Sequence, residues 1–187
     1  MVGVSFPVFA GQVYIYDGEF DLPIPANLDD TRGWMADAII EIPDHYMVSD
    51  LDVRINITHT NVFDLQIFLQ SPAGTRMCLN MYNPFDEYFE GANYTQTIFD
   101  DEAETAIEGA EPPFTGRFRP RAIDAANLLE IFDGENVNGL WRLQIYDAFY
   151  WDTGTLDSFD LIITTPEPAT AILLLLGTGL ITLFKPR

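Results

Sequence analysis

Leu51-Asp52-Val53-Arg54-Ile55-Asn56-Ile57-Thr58-His59 decides the fold. Leu51, Val53, Ile55 and Ile57 alternate with Asp52, Arg54, Asn56 and Thr58, so one row of side chains faces a core and the other faces water. The same period of two returns in Leu65, Ile67 and Leu69, in Trp141, Leu143 and Ile145, and in Phe159, Leu161 and Ile163. Segments of this kind are half-buried antiparallel strands.

Turn chemistry falls between them, in Ser71-Pro72-Ala73-Gly74, Asp133-Gly134, Asn138-Gly139 and Asp152-Thr153-Gly154. Asn138-Gly139, just before Trp141, predicts a primed turn with positive φ at both central residues. Only Ala122 to Phe132 suggests a helical turn. The stretch from Met81 to Phe114 reads as one long irregular loop whose apolar residues are too scattered to order it. About eight strands without an internal repeat predict an all-β protein, an antiparallel β-sandwich.

The chain has 187 residues, enough for one domain with a real core. Its formal charge of -20 repels a phosphate backbone, which excludes nucleic acid as a partner, and favours cations, calcium above all. The single cysteine, Cys78, excludes an internal disulfide and any zinc site built on several thiolates. Set in Met77-Cys78-Leu79, it reads as a small buried core residue.

The only lysine, Lys185, and Arg187 lie at the extreme C-terminus, directly after the uncharged stretch Ala169 to Phe184. As a helix, those residues reach about 24 Å against a hydrocarbon core of about 30 Å, a gap that snorkelling of Lys185 and thinning of the bilayer close. The reading is a short transmembrane helix with its basic tip in the cytoplasm and the acidic body on the outer, periplasmic side. Pro166-Glu167-Pro168, this span and the tip carrying Lys185 and Arg187 together resemble the PEP-CTERM sorting signal. That resemblance implies export, recognition by an exosortase that cuts near the Pro-Glu-Pro, and delivery to the cell surface or extracellular matrix. Met1 to Ala10 is too short for a signal peptide and lacks a basic start, but Val8-Phe9-Ala10 looks like a cleavage site, so the signal is expected to extend upstream. The expected domains are thus 1–13 as signal-like segment and linker, 14–164 as the sandwich, and 165–187 as the sorting signal.

Several ordered blocks of the body carry a second resemblance. They are Ile57-Thr58-His59-Thr60, Asp64 to Thr75, Phe99-Asp100-Asp101-Glu102-Ala103, Pro113 to Pro120, Phe132-Asp133-Gly134, Asn138 to Leu143, and Asp147 with Gly154-Thr155-Leu156. Together they resemble the P domain of proprotein convertases, in its bacterial form. The resemblance implies a jelly-roll sandwich that packs against a subtilisin-like protease and supports its folding without cleaving peptides itself.

The residues hold no catalytic apparatus that sequence reasoning can recognise. A serine protease needs a nucleophile, a base and an orienting acid in contact, and no Gly-x-Ser-x-Gly elbow accompanies either histidine. His45 lies in a loop; His59 ends a strand and reads as a packed, hydrogen-bonded structural residue. Calcium is the candidate cofactor, with Asp100 and Asp101 first, Asp64 next and Asp147 weaker, although the same acids could form a solvated face. Aromatic residues crowd two loops, Tyr82, Tyr88 and Tyr94, then Tyr150 and Trp151; exposed together they would stack on sugar rings, and buried they would be satellite core. The row Arg117, Arg119 and Arg121 reads as a charged edge-strand face.

Three readings follow. The first is an exported, non-catalytic structural or interaction module, with an exosortase, the membrane and an extracellular polysaccharide or protease as partners. The second is an accessory or fragment of a subtilisin-like endopeptidase, and the third a carbohydrate-binding module. The first uses every feature and is the one adopted.

Overall fold

A computed structural model describes residues 11–25, 33–82, 90–121, 128–149 and 151–166. The alternation that opened the sequence reading becomes β3 (Asp50–His59), with Leu51, Val53, Ile55 and Ile57 at 2% exposure or less. The other strands are β1 (Val13–Ile24), β2 (Ala38–Ile42), β4 (Leu65–Gln70), β5 (Arg76–Asn80), β6 (Tyr94–Phe99), β7 (Phe114–Phe118), β8 (Gly139–Asp147) and β9 (Gly154–Thr164). They form a five-stranded sheet in the order β1-β9-β3-β6-β7 and a four-stranded sheet in the order β2-β8-β4-β5.

The inward rows of both sheets meet as one core. Leu65, Ile67 and Leu69 of β4, Trp141, Leu143 and Ile145 of β8, and Phe159, Leu161 and Ile163 of β9 are all buried. Each such side chain contributes about 1.5–3 kcal/mol by leaving water. Trp141 adds a polar anchor, since its Nε1 donates to the Val137 carbonyl at 2.9 Å while its ring meets Phe132 edge-on at 5.4 Å.

Four features differ from the sequence reading. Residues 81–114 are not one loop: β6 lies inside them and pairs with β3, and it escaped detection because positive φ at Asn93 and Gln96 breaks its alternation. Nine strands, rather than about eight, are therefore found among the described residues. The sheets are not wholly antiparallel either, because β6 and β7 run parallel. Their connection carries the chain back to its starting end through a 3-10 turn at Ile107–Gly109. At Asn138-Gly139 only Gly139 has positive φ, +125°; Asn138 instead ties the turn to the Ile42 and Pro43 carbonyls through its side chain. Of the segment from Ala122 to Phe132, Leu129–Phe132 forms a 3-10 turn and 122–127 lie outside the described residues.

The predicted span Ala169 to Phe184 also lies outside the described residues, as do Glu167, Pro168, Lys185, Arg187, Tyr88 and Tyr150. Among the described residues no helix is long and apolar enough to cross a membrane.

The register fixes the poles of the sandwich. Val13 and Asp50 both face Thr164, while Ile24 and His59 both face Gly154. Where the ladder ends, Thr165 N donates to the Gln12 carbonyl at 2.9 Å and Gln12 N to Thr165 Oγ1 at 3.1 Å. The chain thus enters and leaves the sandwich at one pole. The loops after β3 and β8 gather at the other.

Candidate functional site

At the pole opposite the chain ends, β3 ends on His59, β4 begins after Asp64, β8 ends on Asp147, and Asp152 stands just before β9. Both sheets therefore converge on one buried acidic cluster. The 3-10 turn Val62–Asp64, whose Phe63 N–H is capped by the Asn61 side chain, turns Asp64 inward. Two glycines let the strands close in: a Cβ on Gly154 would stand 2.3 Å from the Thr58 carbonyl oxygen, and one on Gly33 2.1 Å from that of Asp147. Any side chain there would push the cluster open.

His59 is 2% exposed and Asp147 fully buried. His59 Nε2 donates to Asp147 Oδ2 at 3.2 Å, and its Nδ1 lies 2.8 Å from the Asn61 carbonyl. Asp147 Oδ1 accepts from the Phe149 N–H at 2.9 Å. The ring is thus sealed between strands, as the structural reading of His59 requires, and no substrate can reach it. Asp152 is held at the rim by Thr60, whose hydroxyl donates to Oδ1 at 2.6 Å.

Asp64 is the odd member. It is 2% exposed, and among the described residues its Oδ2 is buried without a hydrogen-bond partner. Desolvation, reinforced by the charges of Asp147 and Asp152 and by a side-chain hydrogen bond with Asp152, and only partly offset by His59, pushes its carboxyl up from 3.8 to about 7. Among the described residues no three His, Cys, Asp or Glu side chains form a ready-made metal cage. Any ion here would need backbone carbonyls and water as well, which is ordinary for calcium.

Asp100 and Asp101, the first calcium candidates, lie at the opposite pole, where Asp100 is already engaged. Arg117 Nη1 donates to Asp100 Oδ2 at 2.5 Å and to Asp52 Oδ2 at 2.7 Å, while the Glu102 N–H donates to Asp100 Oδ1. These bonds hold the Asp100 carboxyl below its usual range against the opposing effect of burial. Asp101 accepts from the Glu130 N–H at 3.0 Å through Oδ2, its Oδ1 is buried without a hydrogen-bond partner among the described residues, and burial raises its carboxyl. Arg117 stands on β7, the edge strand that the arginine row foretold, and supplies there the positive charge that an ion would otherwise bring.

The aromatic set divides. Trp151 is 80% exposed and Tyr82 half-buried, but Tyr94 is 1% exposed. Tyr94 is therefore corrected from a surface platform to the interior: its place at the start of β6 turns the ring onto Phe114, with centroids 5.1 Å apart. Sequence reading missed Asp152, which looked like turn chemistry alone, and the pairing of Asp52 with Arg117, which joins residues 65 positions apart.

Residues 164–187 match the PEP-CTERM protein-sorting motif. Among solved structures, a serine protease of Aeromonas sobria, in complex with a chaperone, is 18% identical over 87% of this chain with a TM-score of 0.50. The serine protease of Aeromonas sobria in a second structure gives 18% identity over 87% of the chain and a TM-score of 0.48. This chain spans 28% of the length of each. No curated protein matches in sequence. Residues 48–163, from just before β3 to the end of β9, match the proprotein convertase P-domain model. With the seven strands β3 to β9 that those residues contribute to the sandwich, the chain belongs to the proprotein convertase P-domain family.

Proposed function

We propose that this chain is an exported, non-catalytic P-domain module, held at the membrane by its C-terminal segment and sorted by an exosortase to the cell surface or extracellular matrix. One observation carries the reading: the P-domain match ends at residue 163 and the sorting motif begins at residue 164, on the last strand of the sandwich. The joint is short and firm. Thr164 still pairs with Val13 and Asp50, and Thr165 is hydrogen-bonded to Gln12, so Pro166 leaves directly from the ordered edge. In this reading the helix Ala169 to Phe184 crosses the bilayer, the termini face it, and the acidic pole faces outward.

The buried pairing of His59 with Asp147 fits a scaffold rather than a hydrolase, because a general base must reach its substrate. Partnership with a subtilisin-like protease is the natural alternative role for such a module. Calcium belongs to the same proposal, placed on Asp64 and Asp147 with Asp152 close by; the orphaned Asp64 oxygen supports it. There it would offset carboxylate repulsion and fasten the two sheets together, a structural duty.

The test is fractionation of a host that carries an exosortase. The wild-type chain is expected to move from the membrane to the surface or medium, with loss of its tail detectable by mass spectrometry. Replacement of Pro166, Glu167 and Pro168 by alanine is expected to hold it in the membrane. Equal release of both forms sinks the proposal, as does peptide hydrolysis by the purified chain.

A further inference from the structure

The outer face of the four-stranded sheet carries a cluster that the function above does not use. Along β4, Gln70 lies opposite both Arg142 of β8 and Arg76 of β5, and Phe68 lies opposite Gln144. Trp34, which bridges to Tyr146 ahead of β2, sets its ring 5.0 Å from that of Tyr146 and 6.0 Å from that of Phe68. Nearly half of Trp34 stays open, at 46% exposure. Arg76 reaches across β4: its guanidinium lies 3.7 Å from the centre of the Phe68 ring and 5.7 Å from that of Trp34, and its Nε donates to Gln144 Oε1 at 2.8 Å.

Arg76 is exposed yet held in place, because stacking and the bond to Gln144 remove much of the freedom of its long side chain before any ligand arrives. What it lacks is an acid. Arg54 is bound to Asp160, Arg117 to Asp52 and Asp100, and Arg142 stands 3.6 Å from Asp37. Among the described residues Arg76 forms no ion pair, although the chain has 29 acidic residues. Asp37 is already taken up, by Arg142 and by Gln144, whose Nε2 donates to it at 3.2 Å. The remaining guanidinium N–H groups suit a planar anion, and the open indole beside them suits a flat ring. Acids more than about 8 Å away are largely screened at physiological ionic strength, so the charge of the body does not outweigh a direct contact of this kind.

We propose that Arg76 and Trp34 bind a uronic acid unit, such as an acidic extracellular polysaccharide presents, with its carboxylate on the guanidinium and its sugar ring against the indole. The assignment names a ligand and holds whether or not the tail is processed. Phe68 and Gln144 act as positioning residues, because they aim Arg76 without meeting the sugar themselves.

The full chain, purified in a polyoxyethylene detergent that carries neither charge nor sugar headgroup, is titrated with glucuronate, galacturonate, glucose, galactose and acetate and followed by saturation-transfer NMR. At least one uronate is expected to bind in the millimolar range, about tenfold more tightly than its neutral counterpart and than acetate. Arg76→Gln is expected to remove that preference. Trp34→Ala is the second variant: it leaves Arg76 and its charge in place, and is expected to weaken the uronate about tenfold with the fold retained, since Trp34 is largely open. Saturable binding of neither uronate overturns the proposal, as does equal affinity for the neutral sugar or for acetate. So does uronate binding that either variant leaves intact.

Discussion

Replacing Asp64 by asparagine tests the electrostatics of the pole opposite the chain ends. In the folded chain its carboxyl is pushed up from 3.8 to about 7, foremost by desolvation and then by Asp147 and Asp152. Between these values the folded state holds a proton that the unfolded chain has lost. Stability from this group is therefore fully present below about pH 4 and is lost as pH rises to about 7. Some three pKa units at about 1.4 kcal/mol each place the loss on the order of 4 kcal/mol. Asparagine keeps the shape and cannot ionise. The assay is urea unfolding of both proteins in a calcium chelator from pH 4 to pH 8, with the difference between them as the readout. Effects common to both, including the opposite trend from Asp100, cancel in that difference. The stability of Asp64→Asn relative to wild type is expected to climb by about that amount across the range and level off above pH 7. A flat difference refutes the reasoning. At pH 8, calcium at one hundred times its Kd is expected to return about 2.7 kcal/mol to the wild type and nothing to Asp64→Asn.

Three further outcomes are expected. Gly154→Ala drives a methyl group against the Thr58 carbonyl and His59, and is expected to cost about 1–3 kcal/mol in the same unfolding assay. Phe159→Ala empties a fully buried site stacked on Phe20 at 5.3 Å and is expected to cost about 3–5 kcal/mol. Cys78, whose thiol burial pushes up to about 11, is expected to resist iodoacetamide at pH 8 in the folded chain and to react normally in urea; equal rates would contradict its burial.

The inward rows of β3, β4, β8 and β9 were legible because their large apolar residues recur at every second position, although Asp52, Phe68, Ser158 and Asp160 on the other face are buried as well. β6 was hidden because Asn93 and Gln96 adopt positive φ, which shifts its register against β3 and erases the period. Its parallel neighbour β7 was visible as an arginine row, but nothing local to Arg117 announced Asp52 across the sheet. The site divided in the same way. Asp64 and Asp147 were named one by one, yet only the pairing of Leu65 with Asp147 shows that they share a pole. Asp100 and Asp101, adjacent in sequence and acidic, looked alike, yet Asp100 is held by Arg117 and a backbone amide on its two oxygens, whereas Asp101 keeps one buried oxygen without a partner among the described residues. Adjacency along the chain says little about which oxygens remain open. That depends on what other strands bring to them.

The hydrogen bonds between Gln12 and Thr165 also set how the module meets mechanical load. β1 and β9 are antiparallel neighbours whose outer ends lie together, so tension between residues flanking the sandwich acts across the ladder, not along it. The rungs then part in sequence, Val13 from Thr164 first and Ile24 from Gly154 last, as a zipper opens from its free end. Drag that pulls on the far pole, with the tail held fast, instead loads the rungs on both sides of β9 together, in shear, because β9 would have to be drawn out from between β1 and β3.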